Sequence, residues 1–345
     1  MTKPMTDRVY TVQTKKSGAL QTVLHPFTTD DGVGISLSHL EHPRATDSAL
    51  LIHGLTTSSD MFVMPEHYNL AAFLHDAGFD VWIADYRMSN HYPYNHSLKF
   101  AFDDVGLFDW PASIARIRQH NKGRRIHVVA HCLGSATFHI ALYGKTVEGI
   151  SSVVSNSISL NPRVSAWSSM KLLAAPFLVE RVLRLPYIDP RWSELKNRRV
   201  PWLGRLVARV VSVFHLECNE RACNLISFTW GSGHPAIWEH RNVHPATHDR
   251  ATDLFGPVGM EYFRNVRKSV FSDNTLVRYK SGGKYDSLPE RYIDNIGAVK
   301  VPTLLMSGEH NNIFPGANKL TFERARCRPP GGRAPPGRAR SLRRT

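Results

Sequence analysis

The stretch Arg125-Ile-His-Val-Val-Ala-His-Cys-Leu-Gly-Ser135 decides the fold of this chain. Its apolar run predicts a buried strand, a tight turn follows, and Ala136–Tyr143 predicts a helix that leaves the turn. This order is typical of a nucleophile elbow, in which a strained turn lifts one side chain clear of the sheet end. The usual elbow pattern is G-x-S-x-G, whereas this chain has Ala130-His131-Cys132-Leu133-Gly134. The sequence therefore predicts acyl-transfer chemistry with Cys132 as the nucleophile.

Apolar runs and helical patterns alternate on both sides of this elbow. The spacing of apolar residues predicts helices over Met64–Ala77 and Phe102–His120. Strands that alternate with helices predict a mostly parallel sheet covered on both faces, which is an α/β fold. The predicted strands are Gln21–Phe27 and Gly34–Leu40, which form a hairpin, and then Ala49–His53, Asp80–Ala84, Ile126–Ala130 and Ile150–Ser155.

The alternation breaks at about Leu160 and returns only once, at Val301–Met306. Between these points the chain has helical stretches without a clear buried strand, which predicts a helical cap inserted over the strand ends. The helical stretches are Ser165–Leu185, Trp202–Cys218 and Val258–Phe271. The expected organisation is therefore a core over 1–160, a cap over 161–290, a return to the core over 291–322, and a basic tail over 323–345.

The tail has the composition of a segment that does not pack. Leu342 is its only large apolar residue, so neither a strand nor a packed helix is expected there. One interpretation is a natural disordered basic tail. The other is frame-shifted sequence that interrupts a helix beginning at Gly316. In the second case the last strand and helix of the core are missing, and an apolar sheet edge is exposed.

Composition limits the functional classes. A chain of 345 residues with 42% hydrophobic content can bury a large core. Eight arginines between Arg324 and Thr345 supply more than half of the net charge of +14, and no nucleic-acid motif accompanies it, so no nucleic-acid partner is expected. Met1–Lys16 is polar, no run reaches the roughly 18 apolar residues of a membrane span, and the cysteines are few. These features predict a cytoplasmic protein.

The sequence predicts neither a cofactor nor a metal. It contains no dinucleotide-binding glycine fingerprint and no P-loop. The pair Cys218-x4-Cys223 has no second Cys or His pair at ligand spacing, so it is interpreted as isolated. Two reduced cysteines, or a local disulfide between them, are the expected states of this pair.

Several motifs, in order, resemble those of α/β-hydrolases over most of the chain. They are His53-Gly54-Leu55 after one strand, Asp85-Tyr86-Arg87 at the end of the next, and both Phe102-Asp103-Asp104 and Phe108-Asp109-Trp110-Pro111-Ala112 on the helix before the elbow. This order is similar to that of the acid lipases. The cysteine elbow, with Ala246-Thr247-His248-Asp249 in the cap, resembles more closely the hydrolase regions beside cholesterol-oxidase-type (GMC) flavoproteins. Polyhydroxyalkanoate synthases also have a cysteine in a similar elbow.

The resemblance implies an oxyanion hole beside Cys132. The backbone N–H groups of Leu133 and Leu55 are expected to point at the developing oxyanion, and Gly54 allows the close turn. His53 is expected to be structural. A reactive thiol must have a pKa below its usual value of about 8.5, and the start of the following helix favours the thiolate. The alternative is that Cys132 is a small buried cysteine without a catalytic role.

The sequence does not contain a full catalytic triad in the usual order. Gly308-x-His310-Asn311 resembles the Gly-x-His-Asp pattern of acid lipases and places Asn311 where the acid is expected, with Glu309 as a nearby alternative. The catalytic histidine normally follows the acid, but no histidine follows His310. Candidate substitutes are His244, His248 and His310, whereas His131 is expected to point away from the site.

Three functions remain open from the sequence. The first is hydrolysis of an ester or thioester of an apolar acyl or sterol-like substrate through an acyl-Cys132 intermediate. The second is an inactive, truncated module that binds an apolar ligand or accompanies a cholesterol-oxidase-like oxidoreductase, and the third is acyl transfer or polyester synthesis.

One apolar cap face suits either a lid that contacts lipid or ordinary packing against the core; its residues are Met170, Leu173, Phe177, Val182 and Leu185. No feature of the sequence predicts the oligomeric state.

Overall fold

A seven-stranded sheet forms the centre of the molecule. A computed structural model describes residues 9–92, 99–194, 201–213, 217–231 and 233–327. The strands are β1 Thr11–Thr14, β2 Gly18–Gln21, β3 Val23–Thr28, β4 Gly34–Leu40, β5 Asp47–Ile52, β6 Asp80–Asp85, β7 Arg125–His131, β8 Ile150–Asn156, β9 Tyr187–Ile188, β10 Val258–Gly259 and β11 Thr303–Met306. The central sheet has the order β11-β8-β7-β5-β6-β4-β3.

Helices cover this sheet and form the cap. They are α1 Leu70–Asp76, α2 Phe102–Asp104, α3 Trp110–His120, α4 Leu133–Tyr143, α5 Ala166–Phe177, α6 Trp202–Val213, α7 Arg221–Trp230, α8 Pro245–Asp249, α9 Ala251–Leu254, α10 Met260–Val270 and α11 Ala317–Arg326. Among the described residues, none of these helices has both the length and the apolar character that crossing a bilayer requires.

The sheet is mixed but mostly parallel. Strands β5, β6, β7, β8 and β11 pair in parallel, whereas β4 pairs antiparallel with both β3 and β6. Every residue of β6 is buried, as expected for a strand with helices on both faces. The predicted α/β architecture is therefore confirmed. The carboxyl ends of the parallel strands meet at one edge, where the elbow lies.

Several strands and helices begin or end at residues other than those predicted from the sequence. Gln21 belongs to a separate hairpin of β1 and β2 rather than to β3. The helix predicted from Met64 begins only at Leu70, because the Asn69 side chain accepts a hydrogen bond from the Ala72 N–H at 2.9 Å and caps the helix there. The long helix predicted over Phe102–His120 is present, with a π-helical segment at Val105–Asp109 between α2 and α3.

The cap packs against the same buried core as the sheet. Leu172, Trp192 and Phe263 from the cap belong to one apolar cluster with Val128 and Phe138 of the core. The predicted helix over Trp202–Cys218 ends at Val213, and residues 214–216 lie outside the described residues. The cap also holds the short antiparallel pair of β9 and β10, whose two-residue strands are too short for an apolar pattern to reveal.

The C-terminal part differs from the prediction in one respect. The helix expected from Gly316 is present as α11 and continues to Arg326, so the expectation that no helix forms from Glu323 onward is wrong. The Arg324 guanidinium donates to the Asp273 carbonyl and the Thr275 hydroxyl, both at 2.8 Å, and these bonds hold the last turn in place. The rest of the predicted tail, 328–345, lies outside the described residues.

Strand β11 lies at the edge of the central sheet. Leu304 and Met306 on this strand are 58% and 46% exposed. An edge strand with half-exposed apolar side chains offers unpaired backbone groups to another strand. Within the described residues, this edge of the sheet is therefore apolar and partly exposed.

Candidate active site

The elbow holds Cys132 in a strained backbone conformation. Cys132 lies between β7 and α4 with φ +50° and ψ −123°, a region that residues with a side chain rarely occupy. Its N–H donates to the Asn156 carbonyl at 2.9 Å, and its carbonyl accepts from Ala136 N–H at 3.1 Å. A Cβ at Gly134 would lie 2.2 Å from the His53 carbonyl oxygen. Only glycine therefore lets α4 start this close to the loop after β5.

Burial controls the protonation of the Cys132 thiol. It raises the pKa of Cys132 to about 11, although hydrogen bonds from the backbone N–H groups of Leu133 and Leu55 favour the thiolate. The condition for a reactive thiol, a lowered pKa, is therefore not met, because removal of the thiolate from water outweighs the two donors and the helix start. The same two N–H groups are those predicted for the oxyanion hole. They lie close enough to the sulfur to favour its charged form, and an oxyanion would form beside it.

The loop that carries Leu55 is held by buried polar contacts. His53 Nδ1 lies 2.7 Å from the Gly54 carbonyl oxygen and the ring stacks on Tyr86. The Thr57 hydroxyl donates to the same Gly54 oxygen at 3.1 Å. Burial lowers the pKa of His53 to about 4, so its imidazole is neutral at pH 7. These contacts agree with a structural role for His53.

An ion-pair network lies behind this loop. His91 Nδ1 lies 3.2 Å from Asp85 Oδ2, and its Nε2 lies 2.9 Å from Asp60 Oδ2. Asp85 also accepts hydrogen bonds from the Ser59 N–H at 2.9 Å and the Ser59 hydroxyl at 2.6 Å. Burial lowers the pKa of His91, but Asp85 and Asp60 outweigh burial and raise it to about 9. His91 is therefore charged at pH 7 and ties both carboxylates to the loop.

The variant His91→Gln tests the charge on this network. Because the folded-state pKa of about 9 lies above the usual 6.5, the stabilisation is full below about pH 6.5 and is lost as the pH rises towards 9. We expect His91→Gln to lower the free energy of unfolding by roughly 3 kcal/mol near pH 6, and by much less near pH 9.5. Urea unfolding at several pH values measures this, with the exposed His67→Gln as the control. A loss that does not change with pH would contradict the assignment.

A cavity of about 590 Å³ opens above Cys132. Its volume lies in the usual range for small-molecule sites, which is roughly 300–1,000 Å³. Asn156, Glu309 and His310 contribute polar groups to the walls. Most of the lining is apolar and comes from both the core and the cap: Leu55, Met61, Met64, Trp230, Ile237, Trp238, Val243, Leu254, Phe255, Tyr262, Ile313 and Phe314. This pocket can hold an apolar molecule whose polar end faces the thiol.

The loop after β11 reaches the same cavity. Asn311 lines the pocket, and its Oδ1 accepts hydrogen bonds from the N–H groups of Ile313 at 3.1 Å and Phe314 at 2.9 Å. Its Nδ2 donates to the Ser307 hydroxyl at 3.3 Å. The Asn311 amide therefore shapes the loop that carries His310, which is exposed at the pocket rim.

Three of the described histidines line the cavity, namely His131, His248 and His310. His131 was expected to point away, which is wrong: it forms part of the wall, where Asn156 Nδ2 donates to its Nδ1 at 3.2 Å. Burial lowers the pKa of His131 to about 4. His244 instead accepts a hydrogen bond from the Ala246 N–H at 3.2 Å at the start of α8, and it is not among the lining residues.

The cysteine pair of the cap is not isolated. Cys218 and Cys223 lie beside His240 and His248, with their ligand atoms within 4.8 Å of one another. The expectation that no histidine pair accompanies these cysteines is therefore wrong. The spacing His240-x7-His248 is longer than the usual three to five residues of metal motifs, and this hid the pair in the sequence.

Comparison with known proteins agrees with this geometry. The model of the alpha/beta hydrolase fold family matches residues 50–329. Lipase 1 of Drosophila melanogaster is 30% identical over 127 residues, which cover 34% of this chain and 28% of that lipase. The human lysosomal acid lipase/cholesteryl ester hydrolase is 29% identical over 130 residues, 33% of this chain and 32% of the relative. The chain thus spans about a third of the length of these relatives.

The fold is also found among solved structures. The structure of DcsB in complex with its substrate analogue has a TM-score of 0.50 and 13% identity, and the match covers 88% of this chain and 86% of that one. At this identity the likeness concerns the fold alone. The resemblance to acid lipases that the motifs indicate is supported by the human relative. From the elbow, the sheet order and the family match together, the chain belongs to the alpha/beta hydrolase fold family.

Proposed function

We propose that this chain hydrolyses an ester or thioester of an apolar acyl or sterol-like substrate, with Cys132 as nucleophile. The observation that carries the proposal is the strained Cys132 on the wall of a largely apolar cavity, with the N–H groups of Leu55 and Leu133 near enough to its sulfur to favour negative charge there. The cavity volume and its lining support the substrate class. So do the names of the matched relatives, which are a lipase and a lipase/cholesteryl ester hydrolase.

In the proposed reaction the Cys132 sulfur attacks the substrate carbonyl carbon. The carbonyl oxygen becomes an oxyanion, which the two backbone N–H groups hold while the alcohol or thiol leaves. Loss of one such donor typically costs about 3 kcal/mol of transition-state stabilisation. Water then attacks the acyl-Cys132 intermediate and releases the acid. Because burial raises the pKa of Cys132 to about 11, the thiol must pass its proton to a base during the attack.

We assign this base to His310 and a positioning role to Asn311. His310 is an exposed imidazole at the pocket rim, on the loop that the Asn311 amide holds in shape. Its exposure leaves the ring free to turn towards a bound substrate. His131 and His248 also line the cavity, but Asn156 already donates to His131, and His248 Nε2 lies 3.5 Å from Cys218 Sγ. Glu309 lines the pocket next to His310 and is the alternative acid.

The raised thiol pKa also supports a second candidate function. A thiol that stays protonated at pH 7 suits a module that binds an apolar ligand without turning it over, by itself or beside a cholesterol-oxidase-like oxidoreductase. A third candidate, acyl transfer or polyester synthesis, shares the acyl-Cys132 intermediate and differs in the acceptor.

All four cysteines are free, which supports a reducing, cytoplasmic location.

We also propose that the cap touches a lipid surface. Met170, Leu173, Phe177 and Val182 are about half exposed or more, so packing against the core does not explain them, whereas Leu185 is buried. The exposed side chains of Arg181 and Arg184 lie beside this face and suit anionic headgroups.

Co-sedimentation with anionic phospholipid vesicles checks this contact. We expect the double variant Leu173→Ser/Phe177→Ser to bind at least about fivefold less than the unmodified chain, because two large apolar side chains no longer enter the lipid. Val23→Ser, which changes an exposed apolar residue of β3, is the matched control. Equal binding by all three proteins would refute the contact.

The experiment that tests the proposed function is trapping of the acyl-enzyme. The chain is mixed with a p-nitrophenyl ester of a medium-length fatty acid, quenched in acid, and analysed by intact-protein and peptide mass spectrometry. The proposal expects release of p-nitrophenol and a mass increase of one acyl group on Cys132. An acyl acceptor alcohol added to the same assay separates hydrolysis from acyl transfer, since only a transferase forms the new ester.

A further inference from the structure

Four potential metal ligands converge in the cap, on the outer side of the pocket wall. They are Cys218, Cys223, His240 and His248, whose sulfur and nitrogen atoms all lie within 4.8 Å of one another. The Cys218 sulfur is 3.5 Å from His248 Nε2, and the Cys223 sulfur is 3.3 Å from His240 Nε2. Bonds of about 2.3 Å to sulfur and 2.0–2.1 Å to nitrogen place the ligand atoms of a tetrahedral zinc ion roughly 3.3–3.8 Å apart. Both of these sulfur-to-nitrogen distances lie in that range, and a small closure of the cluster brings the remaining ligand atoms into it.

The local structure presents the two sulfurs together. Cys223 is buried in the first turn of α7, and Cys218 precedes it by five residues, a spacing that zinc sites commonly use. The Glu220 N–H donates to the Cys218 sulfur at 3.3 Å, and Asn224 Nδ2 donates to the Cys218 carbonyl at 3.2 Å. A backbone N–H on the sulfur stabilises a thiolate ligand, because it offsets part of the negative charge.

The two histidines come from a separate part of the cap. His240 begins a short 3₁₀ turn, His240–Asn242, and His248 lies in α8. The rings are 5.2 Å apart between centroids and tilted by 58°, so they do not stack, and each directs Nε2 at one cysteine. Two chain segments therefore bring four ligand atoms within 4.8 Å of one another.

We infer that Cys218, Cys223, His240 and His248 form a structural Zn²⁺ site. Two thiolates and two imidazoles in a tetrahedral arrangement favour zinc over hard cations such as Mg²⁺ or Ca²⁺, which prefer oxygen ligands. Two thiolates also neutralise the charge of the ion. With four protein ligands the coordination is closed, which is typical of structural rather than catalytic zinc.

This site would connect α7 to the wall of the pocket above Cys132. Trp238, Asn242, Val243 and Thr247 lie between or beside the two histidines in sequence and line the cavity, and His248 itself lines it. The Trp238 ring contacts the His248 ring edge to face, with centroids 6.1 Å apart. Bound zinc would therefore hold this wall in place. The inference does not depend on the reaction at Cys132, since metal binding is measured without substrate.

Metal analysis of the purified chain tests the inference. The protein is produced in zinc-supplemented medium, purified without chelator, and analysed by inductively coupled plasma mass spectrometry. We expect one zinc per chain, falling to less than about a tenth of that in the double variant Cys218→Ser/Cys223→Ser. The matched controls Cys327→Ser and His244→Gln, which change a cysteine and a histidine outside the cluster, keep the full content.

Cobalt substitution provides a readout that does not depend on any variant. Co²⁺ added to the metal-free wild-type chain should give the intense visible bands of tetrahedral coordination and a thiolate-to-cobalt charge-transfer band, and equimolar Zn²⁺ should remove both. Absence of these bands together with a zinc content near zero would overturn the proposal. A Cys218–Cys223 disulfide, found by peptide mass spectrometry without reductant, would overturn it as well.

Discussion

Cys132→Ala is expected to abolish ester turnover. Removal of the attacking atom prevents formation of the acyl-enzyme, so the rate of p-nitrophenyl ester hydrolysis should fall by at least about 10³-fold. The cavity itself should remain, since the substitution removes a single sulfur atom from its wall. Release of p-nitrophenol, followed by absorbance over a range of substrate concentrations, gives both kcat and KM. We expect the loss in kcat, with KM little changed.

Two further variants separate the competing functions. Cys327→Ser changes an exposed cysteine away from the cavity and should keep the full rate. His310→Gln should lower kcat if this histidine is the base, and should leave binding of an apolar ligand unaltered. Equal rates for the wild type and Cys132→Ala would reject Cys132 as the nucleophile. A wild-type chain that binds an apolar ester tightly without turnover would instead support the ligand-binding module.

Arg87→Met is expected to cause a large loss of stability. Arg87 is almost completely buried, and its Nε donates to Asp109 Oδ1 at 2.8 Å while its backbone N–H donates to Asp109 Oδ2 at 3.0 Å. Its Nη1 also donates to Asp31 at 2.8 Å. Without the guanidinium, the buried Asp109 carboxylate has lost its cation. Breaking a buried pair in this way typically lowers the free energy of unfolding by about 3–5 kcal/mol. Urea unfolding of the wild type and of Arg87→Met measures this loss.

The chain offers a matched control and a rescue for this prediction. Arg125 pairs with Asp47 at the surface, where its side chain is 69% exposed, so Arg125→Met should leave the free energy of unfolding almost unchanged. The double variant Arg87→Met/Asp109→Leu removes both charges, and we expect it to recover much of the loss, because a buried pair replaced by apolar residues is often neutral. A double variant no more stable than Arg87→Met would show that the loss comes from packing instead.

The Arg87–Asp109 ion pair also gives a structural reason why two separate sequence motifs occur together. Arg87 lies two residues after the end of β6 and Asp109 immediately precedes α3, so the buried ion pair joins two motifs that are 22 residues apart. Asp103 similarly accepts hydrogen bonds from the Tyr292 hydroxyl and from the Tyr279 backbone N–H, which fasten the end of the cap and the segment after it to the core. The sequence showed these residues in order, but not that they are partners.

Local sequence specifies the strand, turn and helix around Cys132, the alternation of strands and helices, and the break in that alternation after β8. These features depend on apolar periodicity and turn-forming residues within about ten positions, which local sequence carries. The sheet order, the Arg87–Asp109 pair and the meeting of Cys218 and Cys223 with His240 and His248 were decided by the tertiary structure, since they join distant segments. The Cys132 pKa belongs to this second group. The start of the following helix, which is visible in the sequence, favours the thiolate, but burial in the folded chain raises the pKa of Cys132.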